Sequence, residues 1–163
     1  MQAKRFTIRT PREGFINITR NVQQVIAESG AKSGVVVVWC PHTTAGITVN
    51  ENADPDVVTD MLYGLDKAYP DRPEFRHAEG NSTAHLKSSA MGVSKTIPFE
   101  DGKMLLGIWQ GIYFCEFDGP RTRHSAAGGA GDGNSKDYKA ELLSCAEQPC
   151  NGTSLCERKR AGL

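Results

Sequence analysis

Apolar and polar positions alternate along the first three quarters of the chain in a way that sets out short strands and a few helices. Arg5 to Arg9 and the stretch Gly14 to Ile18 read as N-terminal strands. From Thr19 the period changes: Val22, Val25 and Ile26 recur on one helical face, and Gly30 stops the helix. Val35-Val36-Val37-Val38-Trp39 is β-branched and continuous, the pattern of a strand covered on both faces. Gly46 to Asn50 reads as its neighbour. Asp54-Pro55 supplies an acceptor cap followed by proline, a helix start that turns Val57, Val58, Met61, Leu62 and Leu65 inward. A shorter helix follows Asn81, with Ala84, Leu86 and Met91 as its apolar positions. Met104 to Trp109 and Ile112 to Phe117 flank Gln110-Gly111, which predicts a tight hairpin. Strands outnumber helices without regular alternation. The expected fold is α+β, a mainly antiparallel β-sandwich with helices packed on the sheet.

The composition changes near His124. Residues 1–124 form the expected domain. From Ser125 to Leu163 the text is glycine-rich and then polar, so a disordered or atypical tail is expected over 125–163, with a helical turn or two near Lys136 to Ala146. Lysine plus arginine and aspartate plus glutamate both total 19 in 163 residues, a balance that argues against nucleic acid as a partner. No apolar run is long enough for a bilayer, and the N-terminal text MQAKRFTIRT has no apolar signal region. A cytoplasmic protein with reduced cysteines is the expectation. Of the 5 cysteines, Cys145, Cys150 and Cys156 lack zinc-ligand spacing.

Two clusters carry candidate chemistry. In extended chain Cys40 and His42 project to the same side, and thiolate and imidazole both ligate zinc; alternatively Cys40 is a small buried hydrophobe and His42 closes a turn. In His77-Ala78-Glu79-Gly80-Asn81-Ser82-Thr83-Ala84-His85 the two imidazoles converge only if Gly80-Asn81 bends the chain. The amides of Ser82 and Thr83 at a helix start would then form an anion site; the alternative is an ordinary cap beside a surface histidine. Glu116 and Asp118 form either an acid–base or metal-binding pair, or ion pairs with Arg121 and Arg123. Trp109 reads as core or subunit interface, since no aromatic–basic interleaving marks a base-stacking surface.

Three blocks in order carry a resemblance: His42-Thr43-Thr44-Ala45-Gly46-Ile47-Thr48-Val49-Asn50-Glu51-Asn52-Ala53-Asp54-Pro55-Asp56, then His77 through Lys87, then Leu106 to Phe114 with Glu116 to Arg121. Over residues 5–123 the chain resembles the YjbQ family. The resemblance implies an α+β sandwich, a homotrimer with histidine clusters near subunit boundaries, and secondary thiamine-phosphate synthase activity, which joins a pyrimidine diphosphate to a thiazole phosphate and releases pyrophosphate. The alternative it leaves open is a non-catalytic trimer that binds a metal or a phosphometabolite. The family's polar motif positions fall on Cys40, His42, Glu51, His77, Asn81, Ser82, His85, Trp109, Glu116 and Asp118. Residues and resemblance together give His42, His85 and Glu116 as candidate catalytic groups. Asn81, Ser82, Thr83, Trp109 and Arg121 are candidates for binding a phosphorylated small molecule. Cys40, His42, His77 and His85 are candidate ligands for a divalent ion, zinc or magnesium. Members close the sheet with an apolar strand after the position of Arg123; the text from His124 does not read as one, so a bare sheet edge is expected.

Overall fold

A computed structural model describes residues 3–131. In chain order the elements are β1 (Lys4–Arg9), β2 (Gly14–Asn17), α1 (Thr19–Ser29), β3 (Gly34–Trp39), β4 (Ala45–Glu51), α2 (Pro55–Ala68), α3 (Ser82–Met91), β5 (Ser94–Glu100), β6 (Lys103–Met104), β7 (Gln110–Glu116) and β8 (Thr122–Gly131). They form a five-stranded sheet in the order β1-β8-β3-β5-β6 and a three-stranded sheet in the order β2-β7-β4. The strand pairs among the described residues are antiparallel.

Alternation explains how the layers stack. Ile8, Val36, Val38, Ile97, Phe99 and Ala127 point from the five-stranded sheet toward Ile47, Ile112 and Phe114 of the three-stranded one, and Val22, Val25 and Ile26 of α1 join them. The opposite face of the three-stranded sheet carries Tyr113, Cys115 and Phe117, covered by Ala84 of α3 with Val58 and Leu65 of α2. The order is therefore five-stranded sheet, core, three-stranded sheet, helices. Among the described residues no layer covers the outer face of the five-stranded sheet. This is the α+β sandwich expected from the sequence.

Four expectations change. β3 is covered on one face only: Val36 and Val38 are buried, whereas Val35, Val37 and Trp39 are 37–39% exposed. Gln110-Gly111 is not a turn; both residues lie in β7, opposite Glu51 and Asn50. The hairpin lies one element earlier, where Asp101 (φ 49°) and Gly102 (φ 71°) join β5 to β6 in the left-handed geometry such turns require. On α3, Leu86 is 40% exposed and Lys87 is buried instead. Lys87 reaches Glu13 at 2.9 Å and also pairs with Asp66 of α2, so an ion pair pins the helix where an apolar contact was expected.

The fourth change concerns the chain after Arg123. Thr122 to Gly131 is β8, hydrogen-bonded between β1 and β3. Residues 125–131 thus belong to the domain, and the sheet edge expected to be bare is closed. Ser125, Ala127 and Gly129 face inward, while Val36 and Val38 of β3 fill the space their small side chains leave. The rest of the expected tail, from residue 132, lies outside the described residues, with Lys136 to Ala146 and Cys145, Cys150 and Cys156.

Candidate functional site

The last turn before α3 brings His77 and His85 together. Gly80 adopts φ 70° and its amide donates to the His77 carbonyl at 3.0 Å, which folds the chain back onto the helix start. The two imidazole rings meet edge to face with centroids 5.1 Å apart. With Phe75, Ser82 and Leu86 they line an open cleft of about 360 Å³. Ser82 is the first residue of α3, so its amide and that of Thr83 head the helix, where anions are favoured.

Asn81 caps this helix through its backbone. Its carbonyl accepts from the amides of Ala84 (3.0 Å) and His85 (3.4 Å), while its side chain makes no cap bond. Instead Nδ2 donates to Asp118 Oδ2 at 3.0 Å, and Arg121 Nη2 donates to the same oxygen at 2.7 Å. Asn81 Oδ1 is buried and has no partner among the described residues. A buried acceptor left empty calls for a donor, since each such group costs about 1–3 kcal/mol. The chain Arg121–Asp118–Asn81 therefore fixes the helix start, and its cap residue carries an unused acceptor.

Other expected members are placed elsewhere. Glu116 is fully buried. Its Oε1 accepts from Arg123 Nη2 (2.6 Å) and the amides of Phe117 (3.1 Å) and Asp118 (2.9 Å); Oε2 accepts from Arg123 Nε (2.7 Å) and the Thr10 hydroxyl (2.8 Å). Burial alone would raise its pKa, but the Arg123 bonds, the Asp118 amide and the Thr10 hydroxyl together hold it below the ordinary carboxylate value. The structure thus places Glu116 as the ion-pair partner of Arg123, one of the two alternatives its sequence offered. Cys40 is likewise set apart from the His77–His85 pair. It lies in the core, and burial pushes its thiol up to about 11.

His42 also leaves the cluster. Its Nε2 lies 3.0 Å from both the amide and the carbonyl of His124, just past Ala126, where β8 outruns β3. Burial first, then the Arg123 charge, lowers its pKa, which favours the neutral ring that accepts the His124 amide. The imidazole thus continues the sheet ladder. Its ring packs edge-on against Phe114 on the core side of the three-stranded sheet, whereas α3 covers the other side. The three imidazoles do not converge within one chain. Among the described residues no group of three or more His, Cys, Asp or Glu is placed to hold a metal.

Trp109 is remote as well. Its carbonyl accepts from the Asn52 amide at 2.8 Å, at the start of β7, while Asp118 follows the other end of that strand. Glu51 shares the Trp109 end, its carbonyl accepting the Tyr113 hydroxyl at 2.9 Å. Arg123 is one of the two arginines the sequence offered as ion-pair partners here, whereas Thr10 is a partner the sequence did not signal.

With this arrangement in view, the family whose description is UPF0047 protein YjbQ-like matches residues 4–131. The chain belongs to the YjbQ family. It is 57% identical over 115 residues to the UPF0047 protein YugU of Bacillus subtilis, covering 70% of this chain and 87% of that one. A UPF0047 protein of Methanocaldococcus jannaschii is 54% identical over 112 residues, 69% of this chain and 81% of its own. Among solved structures, a YjbQ/UPF0047 family protein of Clostridium acetobutylicum superposes with a TM-score of 0.76 at 52% identity, covering 78% of this chain and 99% of that one. A protein from Aeropyrum pernix gives 0.76 at 33% identity, covering 81% and 100%. The YjbQ match extends through β8, in keeping with the closed sheet. No helix among the described residues is long and apolar enough to cross a membrane.

Proposed function

We propose that the cleft at the start of α3 binds the phosphate end of a small metabolite and serves a transfer reaction of the thiamine-phosphate synthase type. The observation that carries this reading is the pairing of His77 and His85, 5.1 Å apart, over Ser82 in one cleft at a helix N-terminus. In the reaction, the thiazole nitrogen gives its lone pair to the methylene carbon of the pyrimidine. The carbon–oxygen bond breaks, and its electrons leave with pyrophosphate. Negative charge gathers on the leaving group, where the Ser82 and Thr83 amides, the Ser82 hydroxyl and the two imidazoles supply donors. Arg121, half exposed, uses two of its five N–H donors on Asp118 and keeps others for phosphate. Asn81 Oδ1 offers an acceptor for an N–H of the organic part.

His77 and His85 fit as two nitrogen ligands of a divalent ion, and phosphate oxygens are suitable partners for the remaining positions; such an ion would add positive charge at the leaving group. Two ligands make half a site, so the ion would come with the substrate. The reading also keeps the homotrimer the resemblance implies. A second reading, a trimer that binds phosphometabolites without turning them over, is favoured by the sealed state of Glu116, which leaves the cleft without an acid–base carboxylate.

The test is turnover of the two phosphorylated precursors by the purified chain and by His85→Ala and Ser82→Ala. Loss of about tenfold or more in kcat/KM with unchanged thermal midpoint is the expected result. Equal turnover in His85→Ala rules out the assignment, and binding with no turnover in the parent chain selects the second reading.

A further inference from the structure

Resting on the reading of the α3 cleft as a phosphate site, we infer that Phe75 and Leu86 form a wall for an aromatic ring carried one carbon away from the phosphate. The ligand class is then an arylmethyl phosphate or diphosphate, and not a nucleotide. Both side chains line the cleft with His77, Ser82 and His85. Neither takes part in packing the domain. Among the described residues the buried apolar groups and those packed on them fall into two clusters, and Phe75 and Leu86 are in neither.

The way α3 sits makes the same point. Its buried side is Ala84, Lys87 and Ser88, with Met91 packed beside them. Leu86 stands off that side, 40% exposed, while the buried position next to it is given to a lysine. One exposed leucine would mean little, but this one shares a concave surface with Phe75. Phe75 comes from the segment between α2 and α3. Pro70 and Pro73 restrict the backbone there, and the Phe75 amide donates to the Arg72 carbonyl at 3.1 Å. The segment thus presents a partly buried ring outside the core. Apolar and aromatic lining with a few placed polar groups is the composition of a small-molecule pocket.

Spacing along the helix narrows the ligand. Ser82, His85 and Leu86 stand at i, i+3 and i+4, on one stripe of α3. Four residues at ~1.5 Å each put Leu86 about 6 Å along the axis from Ser82, whose amide and hydroxyl head the anion end. That separation suits a flat ring joined to its phosphate through a single methylene. A ribose between the two would carry the ring past Leu86. The imidazoles of His77 and His85, already edge to face, add π surface on which a further ring is favoured. Of the two molecules in the proposed reaction, the cleft therefore takes the pyrimidine, whose ring sits on the carbon that bears the diphosphate.

The test is calorimetric titration of the full chain with benzyl phosphate, methyl phosphate, adenosine monophosphate and inorganic phosphate. Benzyl phosphate is expected to bind about tenfold more tightly than methyl phosphate, the size of one good aromatic contact. The nucleotide gains nothing over methyl phosphate. In Phe75→Ala the ratio falls toward one, whereas Phe75→Tyr, which keeps the ring, retains it. Leu86→Asn lowers the ratio as well, a second variant on a separate element. Equal binding of benzyl and methyl phosphate by the parent chain overturns the inference. So does a preference that survives Phe75→Ala, or a nucleotide that matches benzyl phosphate. Inorganic phosphate separates this inference from the reading beneath it. Phosphate bound with no preference for the ring removes the wall and leaves the anion site standing; a chain that binds none of the four removes the site itself.

Discussion

At the scale of single residues, Glu116 and Arg123 matter most for stability. Both are buried, and five hydrogen bonds converge on one carboxylate. Breaking a buried pair from one side costs about 3–5 kcal/mol, because the remaining charge is stranded. Glu116→Gln is therefore expected to lose about 3 kcal/mol, read as a lower denaturant midpoint at unchanged slope. The direction with pH follows from the depressed pKa of Glu116. Its contribution is whole above the ordinary carboxylate value, about 4.3, and is lost as pH falls through the lower folded value. The parent chain should lose stability steeply in that acid window and Glu116→Gln much less; parallel pH profiles would remove the pair from this role. Sequence could offer Glu116 as acid, metal ligand or ion-pair partner, but not choose. The choice depends on Thr10, more than a hundred positions away, and on backbone amides that become donors only when the turn after β7 forms. His77 and His85 were legible because a glycine between them permits the fold-back. His42 was not, since its partner is a backbone unit of β8.

At the scale of elements, the helices were legible where caps and periodicity agree. Asp54 accepts from the Asp56 amide at 2.9 Å and α2 starts at Pro55, as its sequence requires. The β5–β6 hairpin turns at Asp101-Gly102, a pair that suits such turns, whereas the long apolar runs around Gln110-Gly111 drew the expectation one element onward. β8 was hidden for a different reason. A strand built of alanine, glycine and serine has weak intrinsic preference and is held by two neighbours that supply the bulk. The same logic gives a stabilising change on α2. Gly64 sits inside that helix, exposed, and an added methyl there meets nothing within 4 Å. Gly64→Ala is expected to raise stability by about 1 kcal/mol through helix propensity. Gly46→Ala goes the other way, since its methyl would lie 2.8 Å from the Gly92 carbonyl oxygen and 2.9 Å from Met91, forcing α3 off β4. Thermal melts of the two variants should move apart; a common shift would mean that neither contact controls its element.

At the scale of the whole molecule, the layer order leaves one face unaccounted for. The three-stranded sheet has the core on one side and α2 and α3 on the other, but among the described residues the five-stranded sheet has the core on one side only. On its bare face β3 raises Val35, Val37 and Trp39, flanked in register by Ala126 and Gly128 of β8 and by Ser94, Thr96 and Pro98 of β5. A ridge of large apolar groups between small and uncharged neighbours is poor surface for water and good surface for another sheet. We assign this face to the contact between copies in the proposed trimer. An interface of that kind makes stability depend on concentration, because dissociation precedes unfolding. The parent chain should therefore melt higher as protein concentration rises. Val37→Asp, which buries an unpaired carboxylate at the centre of the ridge, should reduce the mass found by light scattering and abolish the concentration dependence. A variant that keeps both the parent mass and the parent concentration dependence would show that this sheet face looks onto solvent, and that the copies meet elsewhere.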